Sequence, residues 1–77
     1  MSNVIPFPDA NMMLFTMREC LKGKVGSRMT YGEVTFTRIR KCHYYTCCVE
    51  WRGWKVWANA DSTSAELMDI FNLEVAS

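Results

Sequence analysis

The residues best suited to chemistry lie in one short stretch, Cys42-His43-Tyr44-Tyr45-Thr46-Cys47-Cys48. Cysteine and histidine are the usual ligands of tetrahedral zinc, commonly arranged as Cys-x2–4-Cys pairs. The spacing here is Cys-His-x3-Cys-Cys, without a second matching pair. Adjacent strand residues point to opposite faces, so Cys47 and Cys48 are poorly placed to bind one ion. We therefore expect no metal and no cofactor, and we expect the cysteines to pack as small apolar side chains.

His43 is the only histidine, and it suggests a cysteine–histidine nucleophile pair as a second candidate. Such a pair needs a pocket, a third group that orients the imidazole, and a lowered thiol pKa. No carboxylate is placed to complete a triad, and a chain of 77 residues has little room for a cleft. Phosphate-binding glycine loops and His-x3-His patterns are also absent. We expect the protein not to be an enzyme.

Length and composition predict a single domain over 1–77. Hydrophobic residues make up 49% of the chain and charged residues 22%, which is typical of a small globular protein. No apolar run approaches the roughly 20 residues of a membrane-spanning helix. The first residues lack the basic start and apolar core of a secretory signal. We therefore expect a cytoplasmic protein with reduced cysteines and no membrane partner.

The N-terminal part of the sequence predicts an extended lead followed by a helix. Two prolines favour extended backbone over 1–8. Asp9 is a typical N-cap for a helix over 10–22, and Gly23 a natural stop before a loop over 23–28. The apolar side chains that share one helical face are Met13, Leu14, Met17, Cys20 and Leu21.

Strand-forming residues then dominate 33–59. We predict three strands, over roughly 33–41, 44–51 and 54–59, with a β-bulge near Thr37–Arg38. The last element is predicted to be a helix over roughly 64–73. Its capping box and apolar stripe consist of Thr63 with Glu66, and of Leu67, Ile70 and Phe71.

The second hairpin has the best-defined register. A two-residue turn at Arg52-Gly53 places Trp51 opposite Trp54. The same register pairs Glu50 with Lys55, Val49 with Val56, Cys48 with Trp57, and Cys47 with Ala58. Aromatic, opposite-charge and aliphatic pairs then follow from one assumption, each worth about 0.2–1 kcal/mol. A slip by one residue would send every side chain to the wrong face.

The predicted fold is α+β, with a three-stranded antiparallel sheet that carries an N-terminal and a C-terminal helix on one face. This α-β-β-β-α order resembles that of double-stranded RNA-binding domains over roughly 10–73. In those domains, the second helix begins with a lysine-rich cluster that binds RNA phosphates. This chain has Asp61-Ser62-Thr63-Ser64 and Glu66 there. The resemblance therefore implies the fold but not that mode of RNA binding.

Charge is distributed unevenly, although the formal net charge is +1. Residues 18–55 hold all nine basic residues and three acidic ones, a net of +6, whereas 56–77 hold four acidic residues and no basic one. The asymmetry fits an ordinary solvated surface with acids near a helix N-terminus. It also fits two oppositely charged surfaces, of which the acidic helix imitates nucleic acid.

The sequence predicts two alternative binding surfaces, one for a protein and one for nucleic acid. On the sheet face away from the helices we expect exposed aromatic residues together with exposed Cys48, a surface typical of protein contact. The predicted protein-contact residues are Tyr44, Lys55 and Trp57 there, with Glu66, Asp69 and Glu74 on the last helix. The lead over 1–8 could instead cover Trp57 with Val4, Ile5 and Phe7, or edge strands could pair two copies into a dimer. The predicted nucleic-acid residues, which combine phosphate-binding cations with stacking rings, are Arg38, Arg40, Lys41, Tyr44 and Tyr45.

The opening residues Met-Ser-Asn-Val-Ile-Pro-Phe-Pro are similar to the starts of many short bacteriophage and prophage proteins. Small size, one domain, absent catalytic residues and an acidic helix also resemble phage accessory proteins that inhibit host machinery, including anti-CRISPR proteins. The resemblance implies a non-enzymatic inhibitor, in the host cytoplasm, that binds a host or phage protein complex. It would act by steric occlusion and by charge mimicry. The alternative is a nucleic-acid-binding accessory protein.

Overall fold

The computed structural model describes the backbone of residues 9–76 and the side chains of residues 9–72. The elements are α1 (Ala10–Leu21), β1 (Arg28–Tyr31), β2 (Val34–Cys42), β3 (Tyr45–Trp51), β4 (Trp54–Ala58) and α2 (Ser64–Ala76). The strands form one antiparallel sheet in the order β1-β2-β3-β4. The α+β fold is confirmed, but the predicted count of three strands is wrong. The predicted lead over 1–8 lies outside the described residues.

Both predicted helix starts are confirmed by their capping hydrogen bonds. Asp9 Oδ1 accepts from the backbone N–H groups of Asn11 and Met12, at 2.8 and 3.3 Å. In the capping box, Glu66 N–H donates to Thr63 Oγ1 at 3.2 Å, and Thr63 N–H donates to Glu66 Oε1 at 3.3 Å. Each cap satisfies backbone donors that a helix start leaves without intrahelical partners. Local sequence therefore determines where both helices begin.

β1 is the strand that the sequence analysis missed. It pairs with β2 through a two-residue turn, Tyr31 lying opposite Val34, and Gly32 takes a φ of 62° in that turn. Glycine at the first central position is the type II′ pattern of tight hairpins. Three of the four β1 side chains are exposed, and the fourth, Tyr31, is partly buried against the core. The polar–apolar alternation of Arg-Met-Thr-Tyr covers only four residues, which is too short to identify a strand until β2 pairs with it.

The β3–β4 hairpin has the predicted register at all five pairs, from Trp51 with Trp54 to Cys47 with Ala58. Arg52 and Gly53 take φ values of 48° and 86°, as both centres of a type I′ turn do. The β2–β3 pairing shifts register between Arg38 and Cys42. Thr37 and Arg38 themselves pair regularly with Cys48 and Cys47. An irregularity is therefore present in β2, but it lies beyond the predicted position near Thr37–Arg38.

The core lies between the helices and one face of the sheet. Completely or almost completely buried side chains come from α1, α2 and alternate positions of β2, β3 and β4: Met13, Met17, Cys20, Val34, Phe36, Cys47, Val49, Ala58, Leu67, Ile70 and Phe71. Trp51 packs edge-on against Phe71 with ring centroids 4.7 Å apart. Strand side chains alternate between the two faces, and the buried ones form one cluster with side chains of both helices. Both helices therefore cover the same sheet face, as predicted. No helix in the described part of the chain is long and apolar enough to cross a membrane.

Candidate binding surface on the open sheet face

The sheet face away from the helices, here called the open face, carries two rows of cross-strand neighbours. The register aligns Arg28, Thr37, Cys48 and Trp57 in one row, and Thr30, Thr35, Glu50 and Lys55 in the next. Trp57 keeps 51% of its surface exposed, and Lys55 beside it is also exposed. A large aromatic ring with half its surface in water is a typical anchor for a partner.

One predicted feature of this face is wrong. Cys48 was expected to be exposed with the aromatic residues, but only 5% of its surface is accessible. It lies on the inner strand β3, in the same row as Trp57, where neighbouring strands flank the short thiol on both sides. The open face therefore presents aromatic and cationic groups, not a thiol.

A shallow depression of about 260 Å³ lies at the end of the open face. Its lining comes from the β2–β3 hairpin and the β4–α2 connection: Lys41, Tyr44, Thr46, Asn59, Ala60 and Asp61. Two local hydrogen bonds hold the connection, since Asp61 N–H donates to Asn59 Oδ1 at 2.8 Å and Asn59 N–H to Ser62 Oγ at 3.0 Å. Tyr44, which is 80% exposed, forms the outer wall. The open face and its hairpin end thus carry two exposed rings, Trp57 and Tyr44.

The structure separates the two halves of the predicted protein-contact set. Tyr44, Lys55 and Trp57 belong to the open face and its hairpin end, whereas α2 packs on the opposite side of the sheet. Glu66 and Asp69 are exposed on α2, and Glu66 already caps that helix. One flat partner surface cannot touch both halves. The side chain of Glu74 lies outside the described residues.

The predicted nucleic-acid set is also divided. Four of its members are exposed at the β2–β3 hairpin: Arg40, Lys41, Tyr44 and Tyr45. Arg38 instead points to the helix side, where Nη1 donates to the carbonyl oxygens of Leu21, at 3.1 Å, and of Gly23. These are carbonyls at the C-terminal end of α1, which need donors from outside the helix. The alternation of Val34, Phe36 and Arg38 was the signal that placed Arg38 on the inner face.

The cysteines are four free thiols, of which only Cys42 is exposed. Cys20 Sγ donates to the carbonyl oxygen of Phe36 at 3.4 Å inside the core. Burial, reinforced by nearby Cys20, raises the pKa of the Cys47 thiol to about 12, and burial also raises the pKa of Cys48. Within residues 9–72, no three Cys, His, Asp or Glu side chains are grouped to hold a metal. Cys47 and Cys48 lie on opposite faces of β3.

We predict that iodoacetamide at pH 8 modifies Cys42 alone in the folded protein. The thiolate is the reactive form, and Cys47 with its raised pKa stays protonated and buried at that pH. Mass spectrometry of the intact chain should show one added group, and four after denaturation. Peptide mapping should place the single group on Cys42. Rapid modification of Cys47 in the folded state would contradict the packing described here.

A second exposed apolar patch escaped the sequence analysis. Met12 and Phe15 on α1 keep 44% and 57% of their surfaces exposed. Their helical positions fall outside the stripe that packs on the sheet, which was the available signal. Phe15 is useful as a control because it is aromatic and exposed but lies on the helix side of the sheet.

Comparison of the chain with protein-family models, with curated proteins and with solved structures finds no match. The resemblances to phage accessory proteins and to RNA-binding domains therefore stay predictions from the sequence. The open face carries an exposed indole, neighbouring charged side chains and a shallow depression, which are features typical of binding surfaces.

Proposed function

We propose that this protein is a non-enzymatic inhibitor of the kind that phages encode. It binds a host or phage macromolecular complex through the open face and blocks that complex sterically. The observation that carries the proposal is Trp57, which is half exposed on a sheet face that no described helix covers. Tryptophan is enriched among the few residues that dominate protein–protein binding energies.

The surroundings of Trp57 favour a protein partner whose rim carries charges of both signs. Lys55 lies two residues before Trp57 on the same face with Glu50 opposite it, and Lys41 and Asp61 both line the depression next to Tyr44. An aromatic centre with charged groups around it is the usual arrangement of an interface, in which the rim sets specificity and association rate. Charge mimicry through Glu66 and Asp69 would use the helix side, so it is a separate part of the proposal.

Trp57→Ala should weaken capture of the partner by at least about 2 kcal/mol, or roughly 30-fold. The measurement is affinity purification from a host lysate with the tagged chain, identification of the partner by mass spectrometry, and titration of both variants against it. Phe15→Ala is the matched control, since it removes another half-exposed ring on the opposite side. Circular dichroism should show that both variants are folded.

Two outcomes would count against the proposal. In the first, the wild-type chain recovers no protein from any host lysate. In the second, folded Trp57→Ala binds as tightly as the wild type while Phe15→Ala does not. The latter result would move the contact surface from the open face to α1.

A second candidate function is nucleic-acid binding by the β2–β3 hairpin. It is supported by four exposed side chains that combine cations with stacking rings: Arg40, Lys41, Tyr44 and Tyr45. Fluorescence titration with a single-stranded oligonucleotide should then show affinity that falls steeply with salt. Lys41→Met should reduce the slope of log K against log salt by about 0.7, the value for one phosphate contact on a single strand. Affinity that is independent of salt would exclude this function.

A further inference from the structure

The outer edge of β4 is an unpaired sheet edge. β4 follows β3 in the strand order and has no strand on its other side among the described residues. Such an edge presents backbone N–H and C=O groups that can pair with another extended chain. β4 reads Trp-Lys-Val-Trp-Ala from Trp54 to Ala58, a strongly strand-forming segment with one charge.

The register shows which backbone groups face outwards. Trp51 and Trp54 flank a two-residue turn and therefore form a hydrogen-bonded pair. Antiparallel pairs alternate between hydrogen-bonded and non-hydrogen-bonded, so Val56 and Ala58 also bond to β3. Lys55 and Trp57 are the non-hydrogen-bonded members. Their N–H and C=O groups consequently point away from β3, and their side chains lie on the open face.

We propose that β4 pairs with β4 of a second copy of this chain, antiparallel and centred on Val56. In that register, Lys55 of each copy lies opposite Trp57 of the other. Both outward-facing residues then exchange two backbone hydrogen bonds each with their counterparts. The product is a continuous eight-stranded sheet in which the two open faces lie on the same side.

Side-chain chemistry selects this register over its neighbours. Lys55 opposite Trp57 sets an ammonium group against an indole, a favourable cation–π pair, and the two-fold axis repeats it. Centring on Lys55 would place two like charges directly opposite each other, which is destabilising. Centring on Trp57 would set the two indoles opposite each other, a single aromatic pair on the axis, and would leave Lys55 opposite Asn59 without an aromatic partner. The Val56 register makes two attractive pairs and no repulsive one.

The opposite edge of the sheet lacks this complementarity. β1 has only four residues, and its outward-facing groups belong to Arg28 and Thr30 by the same alternation. Self-pairing about Met29 would set each arginine beside a threonine, with no opposite charge and no ring. β4 is therefore the edge that a second copy fits.

Paired substitutions at one position test the register. Trp57→Glu places a carboxylate opposite Lys55 of the other copy, whereas Trp57→Lys places a second ammonium there. We expect sedimentation equilibrium to show the wild type as a dimer, and Trp57→Glu to dimerise at least roughly tenfold more tightly than Trp57→Lys. Circular dichroism should confirm that both variants are folded.

A crosslink tests the position of the axis. Directly opposite residues of a non-hydrogen-bonded pair have Cα atoms about 4.5 Å apart, within reach of a disulfide. Val56→Cys in a Cys42→Ser background should therefore form a disulfide-linked dimer on mild oxidation, since the other three thiols are buried. Met29→Cys, the matching position on β1, is the control and should stay monomeric under the same conditions.

A wild-type chain that sediments as a monomer over the whole concentration range would overturn the proposal, as would equal crosslinking at Met29→Cys and Val56→Cys. A monomer that captures an extended peptide at β4 would also overturn it, because a partner strand would then occupy this edge. The dimer does not depend on the proposed inhibitor function. Tyr44 lies on the β2–β3 hairpin, on the side of β4 opposite its free edge. Tyr44→Ala should therefore leave the dimer intact whatever its effect on partner capture.

Discussion

Phe36→Ala should remove about 3–5 kcal/mol from the free energy of unfolding, the range for truncating a buried phenylalanine. Phe36 is fully buried on the helix side of β2, in the cluster that both helices share. A domain of 77 residues has a total stability of about 4–12 kcal/mol. The substitution therefore removes at least about a quarter of the total free energy of unfolding.

Urea unfolding followed by tryptophan fluorescence measures this loss. Phe15→Ala is the matched control, because the same atoms are removed from a ring that is 57% exposed. Surface substitutions of that kind stay within about 0.5 kcal/mol. Equal losses for the two variants would mean that Phe36 is not the centre of the core. A changed slope of free energy against urea would mean that the substitution alters the unfolded state as well.

Arg38→Met should lower the free energy of unfolding by about 1.5–3 kcal/mol, the contribution of hydrogen bonds from a charged donor. The guanidinium of Arg38 donates to the carbonyl oxygens of Leu21 and Gly23. Methionine keeps the apolar stem but leaves both carbonyls without this donor. For a domain of this size, each kcal/mol lowers the melting temperature by about 4–8 °C, which differential scanning calorimetry resolves readily.

Arg40→Met is the control for charge. Arg40 is exposed two residues further along β2, so its loss should change stability by no more than about 0.5 kcal/mol. The two substitutions should have the opposite order of effects on oligonucleotide binding. If the hairpin binds nucleic acid, Arg40→Met should weaken that binding, and folded Arg38→Met should not. If Arg38→Met weakened binding and Arg40→Met did not, Arg38 would belong to the nucleic-acid surface.

The proposed inhibitor surface and the proposed dimer use neighbouring parts of one sheet. Trp57 is common to both, because its side chain lies on the open face and its backbone on the free edge of β4. Dimerisation would place two copies of the open face in one plane and present the partner with a doubled surface. Two linked contacts raise the apparent affinity without any new contact type. Tyr44, on the hairpin, reports on the partner surface alone.

The features that could be predicted from the sequence depend on residues that are close together along the chain. Both N-caps depend on residues within three positions of the helix start, Asp9 and Thr63 with Glu66. The β3–β4 register depends on a two-residue turn and on the alternation beside it. Such interactions lie within a few residues of each other, so the pattern of residue types is sufficient to predict them.

The features that could not be predicted from the sequence depend on packing between segments that are far apart along the chain. β1 is a strand because β2 pairs with it, and its alternation of polar and apolar residues is only four residues long, too short to predict a strand by itself. Arg38 serves the end of α1 because the helix crosses the inner face of the sheet at that place. Glu66 and Asp69 of α2 and the indole of Trp57 lie on opposite sides of the sheet because both helices pack on one face. The relative placement of layers follows from burying a shared core, which no local spacing specifies.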